Sequence, residues 1–157
     1  MGMGMGIGWG QDWPTIAAGC ALACWCGYLS AVDLRSRRLP NAATVPGAVV
    51  VLLAAAVTGH GRAALVGAAL LSGLYLLTHL AAPAAMGGGD VKLAVGLGGV
   101  TGAAGAQTWL LAAVGAVALT AAFGVVLLAA GRRGRSLPHG PSMCLATVVA
   151  LTATALG

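Results

Sequence analysis

The chain has 157 residues, of which 59% are hydrophobic and only 7% charged, with 26 glycines and a net charge of +5. Soluble domains carry about 25% charged residues, and disordered chains are polar, so this composition excludes a soluble enzyme, a secreted disulfide scaffold and a disordered tail. What remains is an all-α polytopic membrane protein, a bundle of about six transmembrane helices.

Residues 1–10 largely alternate Met and Gly and lack a basic stretch, so they do not read as a standard signal peptide. Residues 1–14 are expected to form a flexible external lead-in, with Trp9 and Trp13 as interfacial anchors. Residues 15–157 then form a single transmembrane domain. Spanning a bilayer takes about 20 apolar residues, and the apolar runs place spans at 15–32, 42–58, 63–82, 91–105, 108–130 and 141–156. Backbone groups in lipid must be satisfied internally, which makes these runs helices. The fourth is short and glycine-rich, so a tilted or re-entrant segment is an alternative there. Gly98 and Gly102 form a G-x-x-x-G pair suited to close helix packing.

The basic residues set the topology. On six spans, Arg35, Arg37, Arg38, Lys92, Arg132, Arg133 and Arg135 share one face, and Arg62 alone falls on the other. By the positive-inside rule the first face is cytoplasmic and both termini lie outside, in a multi-pass protein of the cell membrane. Short basic clusters between apolar runs, with 4% aromatic residues, do not make a nucleic-acid surface. The four cysteines, Cys20, Cys24, Cys26 and Cys144, lie inside apolar runs with no C-x-x-C pair and no His at ligand spacing. They read as small apolar residues, and neither metal nor cofactor is expected.

The acids carry most of the information. There are three, Asp12, Asp33 and Asp90, and no Glu. Asp12 sits in the lead-in, where solvation accounts for it. Asp33 ends the first span and Asp90 begins the fourth. Two crossings separate them, so both return to one face at one depth. Ionisable groups at membrane level are costly and mark function; the competing reading for Asp33 is a solvated cap near Arg35 and Arg37. Two close carboxylates cannot both ionise near neutral pH and share a proton, so one serves as base toward water and the other as acid toward a carbonyl. That is aspartyl peptide hydrolysis. Gly87, Gly88 and Gly89 precede Asp90 as a hinge whose backbone a substrate strand can approach. A phosphate loop is the rival, but G-x-x-x-x-G-K-[ST] is absent.

Three runs carry a resemblance. Asp33-Leu34-Arg35-Ser36-Arg37-Arg38-Leu39-Pro40-Asn41 resembles the first-aspartate motif of the type IV prepilin peptidase family, and Gly87-Gly88-Gly89-Asp90-Val91-Lys92-Leu93 is similar to its G-x-G-D-x-K-L motif. Leu137-Pro138-His139-Gly140-Pro141 resembles its late Pro-x-Gly-Pro element. The resemblance implies a membrane-embedded aspartyl endopeptidase that removes the basic leader of type IV prepilin-like precursors on the cytoplasmic side. It makes Asp33 and Asp90 the catalytic pair. Gly87, Gly88, Gly89 and Lys92 become the substrate loop, and Pro40, Asn41, Pro138, Gly140 and Pro141 the supporting motif positions. Larger members carry an amino-terminal cytoplasmic segment, often with two Cys pairs, tied to N-methylation. Its absence before the first span here leads to an expectation of peptidase without methyltransferase activity. The compact form is similar both to the peptidases of tight-adherence pili and to those of archaeal preflagellins.

Other side chains have plainer expected roles. Lys92 reads as an interfacial anchor or a neighbour of the pair, Asn41 as the cap of the second helix, His79 as a packing residue level with the aspartates, and His139 as loop structure. A proton-coupled transporter component would sooner place an acid in mid-membrane, and a non-catalytic assembly protein would tolerate loss of both aspartates; these are the alternatives to a protease.

Overall fold

The computed structural model describes the backbone of residues 9–36, 39–83, 86–131 and 139–156, and side chains from residue 15 onward. Six helices follow in order: α1 (Trp9–Ser36), α2 (Asn41–Val57), α3 (Gly61–Ala81), α4 (Gly88–Ala104), α5 (Ala106–Ala129) and α6 (Gly140–Leu156). Among the described residues there is no strand. Each expected span falls on one helix, but α1 begins at Trp9, so residues 9–14 of the expected flexible lead-in are helical. The lead-in before residue 9, the side chains of Trp9 and Trp13, and Arg37, Arg38, Arg132, Arg133, Arg135 and Pro138 lie outside the described residues.

Three helices are long and apolar enough to cross a membrane: Thr15–Ser36 of α1, α3 and α5; α2 and α6 are shorter apolar helices. The bundle has the packing of a membrane protein. Its large side chains point outward, with Val50, Leu53, Val57, Leu77 and Val114 all exposed. Much of its interior is small, with Ala48, Ala64, Ala68, Ala112 and Ala116 buried. Hydrocarbon solvates Leu and Val as well as a protein core does, so association rests on close backbone approach between small residues.

The fourth segment is one continuous helix, not a re-entrant hairpin. It is the central helix of the bundle, packing against α2, α3, α5 and α6, and Leu93, Ala94 and Leu97 are almost fully buried. Its 17 residues make it about 25 Å long, close to the roughly 30 Å hydrocarbon thickness. The glycines explain its place. A Cβ added to Gly98 would lie 2.6 Å from the Gly67 carbonyl oxygen, and one on Gly102 would lie 2.7 Å from that of Ala63. α3 and α4 therefore touch backbone to backbone, and Gly67 is the counterpart of the expected G-x-x-x-G pair.

Two indoles tie the outer helices to this centre. Trp109 on α5 donates to the Gly67 carbonyl at 3.0 Å, and Trp25 on α1 donates to the Ala43 carbonyl of α2 at 2.9 Å. Gly96 leaves the space that the Trp25 ring fills, since a Cβ there would stand 2.8 Å from the indole. Gly105 turns the chain from α4 directly into α5 at φ 125°, a conformation that strains any residue with a Cβ.

Candidate active site

Asp33 projects from the last turn of α1 and Asp90 from the first turn of α4. They are only 6% and 8% exposed. Both line one open cavity of about 350 Å³, together with Leu39, Asn41, Gly87, Gly88, Gly89 and Lys92. The two carboxylates are close enough for Asp33 to act electrostatically on Asp90. Asp33 Oδ2 is buried without a hydrogen-bond partner. The backbone amide of Gly140, at the start of α6, faces the same carboxylate. A Cβ on Gly140 would sit 2.7 Å from Asp33 Oδ2, so only glycine lets α6 begin this close.

The glycine run differs from the expected hinge. Gly88 and Gly89 already belong to α4, and Gly87 caps it in an ordinary extended conformation at φ −75°. Space, not unusual dihedrals, accounts for at least one of these glycines. A Cβ on Gly89 would meet Leu39 Cβ at 3.0 Å, so the α1–α2 connection lies directly on the α4 start. The Gly87 carbonyl accepts the Asp90 amide at 3.1 Å, which fixes the aspartate in the first turn.

Asn41 does not cap α2. Pro40 holds the cap position with no side-chain cap bond, and its carbonyl accepts the amides of Ala43 and Thr44. Asn41 is already the first helical residue, so its side chain projects outward instead of folding back. Its Oδ1 accepts from Lys92 Nζ at 2.8 Å. This turns Lys92 toward the cavity rim, joining the two aspartate motifs across the α2–α4 gap. Pro141 follows Gly140 in the first turn of α6, where a missing amide proton costs nothing. His79 is a packing residue as expected, and its Nδ1–H donates to the Met86 carbonyl at 2.7 Å.

Several neighbours were not legible in advance. Tyr75 on α3 is buried within electrostatic reach of Asp90, and its hydroxyl meets His139. Thr120 on α5 meets the other nitrogen of that ring. Cys26 and Cys144 are buried with their thiols against each other, near the aspartates. Tyr75 alone left a trace in the sequence, as a polar aromatic one helical turn before His79 in an apolar run. No group of three or more metal-ligating side chains occurs among the described residues.

A family model for type IV leader peptidases matches residues 20–131, which take in both aspartates and the whole of α2 to α5. The chain belongs to the type IV leader peptidase family. No curated protein and no solved structure matches it. As a leader peptidase it is a protease, and its long apolar helices make it a membrane protein. The matched region stops short of His139, Gly140 and Pro141, whose link to the site is spatial.

Proposed function

We propose that this leader peptidase is an aspartyl endopeptidase that removes the basic leader of type IV prepilin-like precursors at the cytoplasmic face. The observation that carries the reading is the meeting of Asp33 and Asp90, from two different helices, in one open cavity at the helix ends. One carboxylate takes a proton from water as the oxygen attacks the scissile carbonyl, and the other carboxyl donates a proton to the carbonyl oxygen. On collapse the C–N bond breaks as the first carboxyl gives its proton to the departing nitrogen, and the second carboxylate takes the hydroxyl proton of the intermediate, which restores the pair. Gly87, Gly88 and Gly89 present bare backbone along the cavity, where an extended substrate strand can lie. The chemistry draws on no cofactor.

By the span order read from the sequence, seven of the eight basic residues belong on the aspartates' face, which supports a cytoplasmic site in a multi-pass cell-membrane protein. Residues 15–157 would act as one domain, preceded by an external lead-in of which residues 9–14 already belong to α1. The cysteines support cleavage without methyl transfer, since Cys20, Cys24 and Cys26 lie in α1 and Cys144 in α6, not in C-x-x-C pairs.

The test incubates the purified protein, in lipid, with a precursor whose basic leader ends in Gly before a hydrophobic stretch, with S-adenosylmethionine present. Mass spectrometry is expected to find the mature chain with an unmodified amino terminus. No cleavage would refute the peptidase assignment, and a methylated product would refute the exclusion of methyl transfer.

Gly140→Ala tests the geometry separately. The added methyl must displace the end of a side chain and no backbone, so Asp33 swings aside at little cost to the fold. Cleavage is expected to fall about 10- to 100-fold, while the thermal unfolding temperature of the detergent-solubilised protein stays within a few degrees of wild type.

A further inference from the structure

We infer that His139 is a positioning residue for the aspartate pair, holding Gly140 against Asp33 and fixing the direction of the buried Tyr75 hydroxyl. The inference rests on the aspartyl reading above and adds a residue to it.

Three attachments meet at His139. Its carbonyl accepts the Met143 amide at 3.1 Å and so starts α6. Its Nε2 lies 2.8 Å from the Tyr75 hydroxyl on α3, and its Nδ1 lies 2.6 Å from Thr120 Oγ1 on α5. The next residue is Gly140, which abuts the Asp33 carboxylate. The ring thus bolts the start of α6 to two helices at the point where α6 reaches the site.

The direction of the chain follows from counting protons. The Thr120 hydroxyl has one hydrogen and donates it to the Ala116 carbonyl at 2.9 Å. Toward His139 it therefore accepts, and Nδ1 carries the ring proton. Nε2 of the neutral ring is bare and accepts the Tyr75 hydrogen. Burial pushes the His139 imidazole below its ordinary range, in keeping with a neutral ring. Tyr75, buried within electrostatic reach of Asp90, thus gives its hydrogen to His139 and not to a carboxyl.

A side chain that only filled loop space would need neither bond. The experiment compares His139→Leu, His139→Gln and Tyr75→Phe with wild type and Asp33→Asn in the precursor-cleavage assay. Folded protein is measured by size-exclusion chromatography. His139→Leu is expected to lower kcat about 100-fold with KM within about twofold, since the ring does not line the cavity. His139→Gln, whose amide oxygen can accept from Tyr75, is expected to recover most of the loss. Tyr75→Phe removes a single oxygen and keeps the ring packing, so it reports even if His139→Leu does not fold. It is expected to lower kcat with KM unchanged, and to add little in combination with His139→Leu because the two share one bond.

Nitrogen-15 NMR of histidine-labelled protein reads the ring independently of cleavage, and Nδ1 should be protonated with Nε2 bare. Wild-type kcat in folded Tyr75→Phe, or a ring protonated at Nε2, would overturn the positioning role while the dead Asp33→Asn upheld the aspartyl reading. Full cleavage by Asp33→Asn would overturn the aspartyl reading itself, and the positioning role with it.

Discussion

Asp33→Asn and Asp90→Asn should each reduce precursor cleavage by about 1,000-fold or more, because a positioned acid or base contributes roughly 10² to 10⁴ and each group exchanges a proton both in attack and in collapse. The amide keeps the shape of the carboxyl but neither takes a proton from water nor delivers one to the carbonyl. The two losses should be alike, since attack on the carbonyl requires base and acid together. The double variant should be scarcely worse than either single one, because groups that act as a unit are lost as a unit. Folding should not suffer. Both carboxyls are buried in one cavity, and among the described residues Asp33 Oδ2 has no partner, so a neutral amide lowers the cost of burying a charged group. Thermal unfolding in detergent is expected at or above the wild-type temperature. Wild-type cleavage by either folded variant would end the aspartyl mechanism.

Gly67→Leu should be the most damaging change to the fold. A side chain there is driven onto the backbone of α4, meeting the Gly98 carbonyl and, at 2.7 Å, the Gly102 Cα. No rotamer avoids atoms that close to Cβ, so the helices must separate. Overpacking costs about 1–3 kcal/mol in ordinary cores and more where the backbone must move. The expected cost is therefore about 3 kcal/mol or above, with little folded protein recovered. Gly73→Leu, two turns along the same helix, is the control. A Cβ on Gly73 meets nothing within 4 Å, so its unfolding free energy should stay within about 0.5 kcal/mol of wild type. Denaturant titration of both variants in mixed micelles checks the contrast. Any folded Gly67→Leu should also cleave slowly, because α4 carries Asp90 and its distance from α3 is set at this crossing.

The aspartates were legible because their placement depends on counting. Three acids in a chain otherwise poor in charge, and an even number of crossings between two of them, put Asp33 and Asp90 at one end of the bundle before any helix was packed. Asn41 shows where such reasoning stops. Its residue type suits a helix cap, yet Pro40 takes that position, and Asn41 instead reaches a lysine 51 positions away. His139 is a similar case, since nothing local to a Pro-His-Gly-Pro run reveals that Tyr75 and Thr120 await its two nitrogens.

The amino-acid sequence by itself determined the solvent this protein folds in, the number and order of its helices, the common end of its two buried acids and, through the motifs around them, its kinship with leader peptidases. Those properties follow from composition, hydrophobic run length and charge placement, which act locally or simply accumulate along a chain. Tertiary structure alone decided that the short glycine-rich helix stands at the centre, that Gly140 meets Asp33, and that Tyr75, His139 and Thr120 form one chain of hydrogen bonds. Each depends on how closely and at what rotation two helices cross. Close crossings are set by backbone contact between glycines on separate helices, a pairing that no single segment encodes.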